Sequence, residues 1–482
     1  MTKKLQGKFY TPIFIVDKIL DEVGYNSENI LQKKILDPAC GDGRFLIQIV
    51  KRIIKYSSKK DLKKNLSYVY GWDIDEVALK KAKENLDKLV YPLKIEWNLF
   101  LKNSLKTQNN LFEKHKFDFI VANPPYIRIQ NLDISQREFI QKNYNLCKKG
   151  SIDIFIAFFE LAFDLLKENG IAGFITPNSY FSTQAAKLLR EEFLKKQNII
   201  KIINYNSIQL FEDATTYSAI TIFDMKKRDK FIYQYAKNLK EFNTYNIEFN
   251  NLKNKPFWDF MENKNNQGIK LKEIANINVG LQTLADKVYI SKFVKEENNF
   301  IYLNTFYKGV VKFEKELLRK IIKVSKYNGE INEYIIFPYK KTDNKIEIIP
   351  ENELKNNYPL TYDYLLSLKE ILLKRDKGKK SYPAWYAFGR SQGLETTFGK
   401  KIIFSPMAKK PNFMLVEYED VTFYSGYSIK SDKIELKNLL SLLNSKQMEK
   451  FITNSSRDLR NGWKAYNKKI VQEFVLEYNL LI

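Results

Sequence analysis

Short apolar runs alternate with segments of helical period along the first half of the chain. The runs KKILDP (33–38), SYVYGWDID (67–75), FDFIVANPP (117–125), IAGFITP (171–177), IIKIINY (199–205) and YSAITIFDM (217–225) each end in turn or polar residues. Their length and their β-branched and aromatic content predict buried strands. Between them, Gly43 to Tyr56, Asp75 to Leu89 and Asp153 to Lys167 repeat apolar residues at helical spacing. Strands alternating with helices predict an α/β fold with a largely parallel sheet covered on both faces. KKRDK (226–230) reads as a connector. From about residue 240 the periodicity weakens, Lys, Asn and Tyr become abundant, and aromatic clusters stand at YPAWYAF (382–388) and TFYSGY (422–427). Leu436 to Ile452 is again helical in period. Two domains are expected, 1–240 and 241–482, the second a mixed α/β region.

Composition then narrows the function classes. Lys and Arg number 80 against 56 Asp and Glu, a formal charge of +24. Such an excess suits a polyanionic partner, because each cation that meets a phosphate releases condensed counterions. Lys, Asn and Ile are also abundant throughout, as in chains from AT-rich genomes, which is the other source of the same excess. Two cysteines, Cys40 and Cys147, argue against a disulfide framework, and a single histidine, His115, against a zinc cluster, so no metal site is expected. The N-terminal MTKKLQGKFYTP has no apolar signal-peptide core. The most apolar run, Ile152 to Leu166, carries Asp153, Glu160 and Asp164 and is shorter than a membrane span. A soluble, cytoplasmic protein with no membrane partner is expected.

Candidate chemistry begins at DPACGDGRFL (37–46), which follows an apolar strand and opens a helix. Asp37 closes the strand, while Gly41 and Gly43 permit a tight turn with helix N-terminal amides behind it. This is a nucleotide-type loop at the carboxyl end of a strand, without the spacing of dinucleotide or phosphate loops. About thirty residues on, GWDID ends the next strand, and Asp73 is placed to accept hydrogen bonds from ribose hydroxyls. Asp75 reads as the cap of the following helix. NPPY (123–126) ends the strand FDFIVA, where consecutive prolines force the chain out of the sheet at the same edge.

Together these segments resemble the S-adenosylmethionine site of the amino-methyltransferases, in which D-P-A-C-G-x-G is a common form of the glycine loop. The resemblance implies a Rossmann-like S-adenosylmethionine-dependent methyltransferase domain. It places Asp37, Ala39, Cys40, Gly41 and Asp73 at the cofactor, with Cys40 a small buried hydrophobe. FYTP (9–12) is similar to the family's preceding motif, whose threonine, Thr11 here, helps hold the methionine end. Family members usually carry an acidic residue after the third strand, near the cofactor's adenine. LFLKNSL (99–105) departs from this and offers Asn103, whose carbonyl oxygen would take an adenine amino group.

The resemblance also implies the chemistry of NPPY. Adenine's exocyclic nitrogen is a poor nucleophile because its lone pair is delocalised into the ring. Hydrogen bonds from that amino group to the Asn123 side-chain oxygen and the Pro124 carbonyl oxygen favour a tetrahedral nitrogen, and the rest is positioning. A base inside a duplex cannot reach such a pocket, so it must flip out, with Tyr126 as its stacking face. Phe211 is the family's match for a second stacking aromatic; a core phenylalanine is its other reading. Asp153 and Phe155 stand in the family's block after the catalytic loop, with core packing expected of both. Carbon-5 cytosine methylation needs a cysteine next to proline, which neither Cys40 nor Cys147 provides. Cytosine amino-methyltransferases more often carry serine in place of the asparagine, so adenine is preferred.

Motif order, with a large region C-terminal to NPPY, resembles the gamma group of adenine methyltransferases, whose C-terminal domain recognises the DNA sequence. KLKEIANINVGLQTLADKVYI (270–290) and YPAWYAF…KKIIFSP (382–406) are similar to recognition segments of that group and of type I specificity subunits. Double-stranded DNA is the implied partner, with Lys409, Lys410, Arg457, Arg460 and Lys464 as candidate phosphate contacts. A modification enzyme, with or without a separate restriction endonuclease, is expected rather than a fused restriction–modification protein. Two other readings remain: a methyltransferase acting on RNA bases or glutamine side chains, and a DNA-binding module without catalysis.

Overall fold

All six predicted strands form, and three more join them in one nine-stranded sheet. The structure is a computed structural model. It describes residues 11–106, 116–148, 150, 152–206, 208–211, 217–258, 260, 268–342, 345–378, 380–456 and 462–477. The strands are β1 (Ile35–Asp37), β2 (Val69–Asp73), β3 (Asn98–Leu101), β4 (Phe117–Ala122), β5 (Leu166–Pro177), β6 (Ile199–Asn204), β7 (Ser218–Asp224), β8 (Lys230–Ala236) and β9 (Phe242–Glu248). Their spatial order is β3-β2-β1-β4-β5-β7-β6-β8-β9. Pairing is parallel from β3 to β5 and again between β6 and β8. β7 runs antiparallel to both its neighbours, and β9 to β8.

The alternation of side chains along each strand divides the core in two. Ile35 and Val121 face one layer with α1 (Ile13–Glu22), α2 (Arg44–Tyr56) and α3 (Glu76–Val90). Leu36 and Ile120 face the other, with α4 (Phe155–Leu165). Full burial of residues such as Ile120 and Val121 contributes roughly 1.5–3 kcal/mol each. α4 is apolar on nearly every side, as a helix sunk in a core must be. It stops at Leu165 rather than Lys167, because Leu166 turns extended and begins β5.

The strands missing from the sequence reading are the least buried. β3 is an edge strand with its last two residues exposed, and β8 and β9 form a hairpin with mixed exposure. That hairpin shifts the domain boundary. Residue 240 lies in its turn, and the chain divides into two compact units, Met1–Met261 and Glu262–Ile482. KKRDK is likewise no interdomain connector: it joins β7 to β8, with Arg228 paired to Asp224 at 2.8 Å.

The second unit carries a six-stranded sheet in the spatial order Gly309–Glu314, Phe300–Thr305, Ile290–Glu297, Glu333–Ile336, Leu318–Lys323, Thr422–Tyr424. A four-stranded sheet orders Asn276–Val279, Tyr427–Lys430, Lys401–Phe404 and Phe413–Val416. The YPAWYAF cluster is mostly core, with the Tyr386 hydroxyl donating to Ile349 O at 2.6 Å. Buried Arg375 fastens it, donating to the carbonyls of Leu372 (2.7 Å), Trp385 (2.7 Å) and Ala387 (2.5 Å). The helical stretch at 436–452 is two helices, Leu436–Leu443 and Lys446–Ser455, because Ser445 caps the second through Met448 N. Among the described residues, no helix is long and apolar enough to cross a membrane, and no cluster of His, Cys, Asp or Glu could hold a metal.

Candidate active site

In the spatial order β3-β2-β1-β4-β5 the chain runs outward in opposite directions from β1 and β4, so a crevice opens between their carboxyl ends. The glycine loop follows β1 and NPPY follows β4. The sheet topology therefore sets side by side two motifs that lie more than eighty residues apart in sequence.

The glycine loop is held from several sides. Asp37 Oδ1 accepts from Ala39 N at 3.0 Å, and Gly43 N donates to Cys40 O at 2.9 Å. Asp73 Oδ2 accepts from Gly41 N at 2.7 Å, while its Oδ1 accepts from Asp75 N at 2.9 Å. One carboxylate thus ties the end of β2 to the loop after β1. Gly41 (φ +54°) and Gly43 (φ +88°) are left-handed. A Cβ at Gly43 would stand 3.0 Å from Ala82 of α3, whereas one at Gly41 would meet nothing within 4 Å. Gly43 is required by packing, and Gly41 presents backbone to open space. Asp75 caps α3, as expected, by accepting from Val77 N and Ala78 N. Cys40 is buried, and burial pushes its thiol well above the usual range.

Asp37 is almost fully buried, and its carboxyl is pushed up to about 8. Desolvation is the main cause; the Ala39 N–H opposes it and nearby Asp73 adds to it. Lys102, just past β3, lies 3.3 Å from the centre of the Trp72 ring, and burial lowers its ammonium to about 8. Ser104 donates to Pro38 O at 2.5 Å and so pins the segment after β3 against the glycine loop. Lys102 and Ser104 were not singled out from sequence; their only signal there is their position after β3. Asn103 closes its own turn: its Oδ1 accepts from Leu105 N at 3.0 Å. The oxygen expected to receive an adenine amino group is engaged with backbone.

At the NPPY loop, Asn123 Nδ2 donates to Thr11 Oγ1 at 3.0 Å. The donor end of the carboxamide is held by Thr11, and the acceptor Oδ1 lies at the opposite end of the group. Thr11 is buried and its hydroxyl meets Asn123, so the FYTP threonine orients the asparagine. Phe9 and Tyr10 lie outside the described residues. Pro124 is buried and Tyr126 is half-buried. The Tyr126 hydroxyl donates to Ile175 O at 3.2 Å, and burial raises its phenol well above the usual range. Its ring meets Phe155 and Phe211 edge to face, with centroids 6.4 and 6.3 Å away and interplanar angles of 78° and 84°.

Phe211 is therefore beside Tyr126 but nearly perpendicular to it; the two rings form no parallel slot. Phe155 is core, as expected. Of the candidate phosphate contacts, Lys409, Lys410 and Lys464 come together, because Met407–Ala408 pairs with Lys464–Ala465. Arg457 and Arg460 lie outside the described residues, as does His115.

Residues 45–211 match the family described as Eco57I restriction-modification methylase. The Type II restriction enzyme and methyltransferase RM.Eco57I of Escherichia coli is 26% identical over 562 residues, covering 95% of this chain and 56% of its own length. The Type II methyltransferase M.BanIII of Aneurinibacillus aneurinilyticus is 25% identical over 484 residues, covering 87% and 79%. Among solved structures, the Type IIL restriction-modification enzyme MmeI in complex with DNA superposes with a TM-score of 0.59 at 14% identity, over 96% of this chain and 65% of that one. A nuclease-deletion mutant of the Type ISP enzyme LlaGI, with a DNA substrate mimic, gives 0.56 at 14%, over 96% and 46%. The chain is thus similar in sequence to methyltransferases of restriction–modification systems and shares the fold of restriction–modification enzymes such as MmeI and LlaGI. It spans little more than half the length of RM.Eco57I.

Proposed function

We propose that this chain is a site-specific DNA methyltransferase acting on the N6 amino group of adenine, with residues 1–261 as catalytic domain and 262–482 as target-recognition domain. The observation that carries the reading is the Asn123–Thr11 hydrogen bond at the crevice between β1 and β4, beside the glycine loop. It fixes a carboxamide acceptor next to a nucleotide-type site, with Tyr126 anchored one residue beyond the two prolines.

The residues present fit S-adenosylmethionine. Gly41 exposes backbone over open space, and Asp73 keeps further lone pairs on both carboxylate oxygens for ribose hydroxyls. Asp37 lies beside the loop for the methionine end. When bound, the cofactor supplies an electrophilic methyl group. Everything else falls to the chain. Asn123 Oδ1 and Pro124 O accept the two N–H bonds of the target amino group, which localises its lone pair and stabilises the positive charge that grows on nitrogen. Tyr126 offers its face to the flipped base; a π-face on a base contributes roughly 1–3 kcal/mol, comparable with the few kcal/mol that unstacking costs. For Phe211 to cover the opposite face, its ring must turn from its edge-on position. The surplus proton leaves to water, since no basic side chain is required.

The substrate is double-stranded DNA, the location cytoplasmic, and the biological partner a restriction endonuclease of the same specificity. The relatives' names support a restriction–modification role, and the charge of +24 supports a nucleic-acid substrate. Incubating the protein with labelled S-adenosylmethionine and equal masses of genomic DNA, ribosomal RNA and a glutamine-bearing release-factor protein tests the substrate class. Label confined to DNA is expected; label in RNA or protein overturns the reading.

A further inference from the structure

We propose that the turn Phe306–Tyr307, at the rim of a cleft in the second unit, is a groove-inserting element that sets which DNA sites are modified. The inference rests on the DNA reading above and adds to it the surface and the side chains that make the contact.

The cleft encloses about 670 Å³ and lies wholly within the second unit. It is lined by the segment Val279 to Val288 together with Tyr307, Pro406 and Ser425. Two lining residues hold left-handed backbone without being glycine, Leu284 (φ +55°) and Ser425 (φ +54°). Such conformations persist only where the surroundings impose them. Here they do: Gly389 packs so closely on Leu284 that a Cβ there would lie 2.3 Å from its side chain. Arg375 ties the same region to the WYAF segment through Trp385 O and Ala387 O.

Over one rim, the hairpin of Phe300–Thr305 and Gly309–Glu314 turns through Phe306, Tyr307 and Lys308. Phe306 is 63% exposed and Tyr307 40% exposed. The tip ring is held in place. Phe306 meets Tyr307 edge to face at 4.9 Å, and the Lys287 ammonium lies 4.0 Å from its centroid. The nearby carboxylate, Asp286, is held by the Thr283 hydroxyl in the cleft lining. Past Pro406, which also lines the cleft, the chain carries further basic and aromatic residues. There Met407–Ala408 pairs with Lys464–Ala465, Lys409 and Lys410 follow, and Trp463 is 41% exposed.

An exposed aromatic pair on a rigid hairpin is costly in water, and its surroundings select what covers it. Lys287 and Lys308 flank it, Lys409 and Lys410 follow the lining residue Pro406 in the chain, and none of the four makes an ion pair among the described residues. Exposed aromatic rings beside lysines complement duplex DNA, in which cations meet the phosphate rails and apolar side chains wedge between base steps. Lysines then position the duplex, and Phe306 and Tyr307 press on the bases. The occupant is duplex DNA.

The test uses the full chain and two 30-bp duplexes. One carries the site that sequencing shows to be modified, and the other a scrambled site. Phe306→Ala should weaken binding to the site-bearing duplex on the order of tenfold, leave the scrambled duplex within about twofold, and widen the set of modified sites. Lys308→Gln should weaken both duplexes alike and lower the log–log salt slope by about one. Tyr418→Ala, an exposed aromatic that does not line the cleft, should change neither. Wild-type affinity and an unchanged set of sites in Phe306→Ala would overturn the inference while leaving the methyltransferase reading intact. A wild-type protein that binds neither duplex would overturn both.

Discussion

The two units put their working residues in different relation to the sequence. In the first, each functional loop is contiguous and follows a buried parallel strand: the glycine loop after β1, Asp73 at the end of β2, NPPY after β4. In the second, the cleft is assembled from segments near residues 280, 307, 406 and 425, on different strands and turns. A parallel sheet brings its strand ends to one edge, so short motifs there announce a site. An antiparallel surface builds its site from hairpin tips whose meaning appears only once strands pair. If this division is also functional, changes in the first unit should alter whether a methyl group is transferred, and changes in the second should alter where.

The largest expected effect is at Asn123. Asn123→Ala should lower turnover by at least about 100-fold, the scale of losing one preorganised hydrogen-bonding group at a reacting centre. Affinity for cofactor and DNA should stay within several-fold, as read by calorimetry and gel shift. Loss of DNA affinity in step with turnover would mean the two units do not work separately.

Next is Tyr126. Tyr126→Ala should reduce the fluorescence rise of 2-aminopurine at the target position and cost on the order of tenfold in turnover. Because the Tyr126 ring also supports Phe155 and Phe211, part of the cost should appear as lower stability in urea. An unchanged signal would remove it from the stacking role.

Smaller effects sharpen the same contrast within the first unit. Ser104→Ala removes a buried hydrogen bond to Pro38 O and should lower stability by about 1 kcal/mol, with a weaker hold on the glycine loop. Cofactor affinity should fall while the set of modified sites does not change.

Asp37 gives the pH test. Its carboxyl stands at about 8 in the folded chain, chiefly through desolvation, against about 4 when unfolded. The folded state therefore holds a proton that the unfolded state has lost across that window. The contribution is fully present below about pH 4 and is lost as pH rises toward about 8. Asp37→Asn should flatten this part of the stability profile in the cofactor-free protein, measured by urea unfolding from pH 5 to 9. An identical slope in wild type and variant would show that Asp37 does not titrate there.

Much of the first unit was legible because six buried strands announce themselves as apolar runs, and because the glycine loop, GWDID and NPPY lie at their ends. What sequence could not supply were contacts made at a distance. Thr11 orients Asn123, and Ser104 pins Pro38, because folding places them there. Asn103 follows β3, and its oxygen also closes a local turn by accepting from Leu105 N, a contact set by the backbone path. Phe211 lies beside Tyr126, yet its ring orientation is set by packing and is edge-on. Residue 240 lies in the turn of the β8–β9 hairpin, which is polar on one side and resembles a linker in composition. In the second unit, aromatic clusters that drew attention at YPAWYAF prove to be core, while the exposed Phe306 and Tyr307 stood out in no pattern.

The central claim, methyl transfer to adenine N6 in DNA at a defined site, has one most direct measurement. AT-rich genomic DNA is methylated in vitro with labelled S-adenosylmethionine by wild type and by Asn123→Ala. The products are digested for nucleoside mass spectrometry and, in parallel, read by single-molecule sequencing. The account predicts labelled N6-methyladenine at one short motif with wild type and none with the variant. Label on cytosine, or no label in DNA from a protein that binds the cofactor, would contradict it.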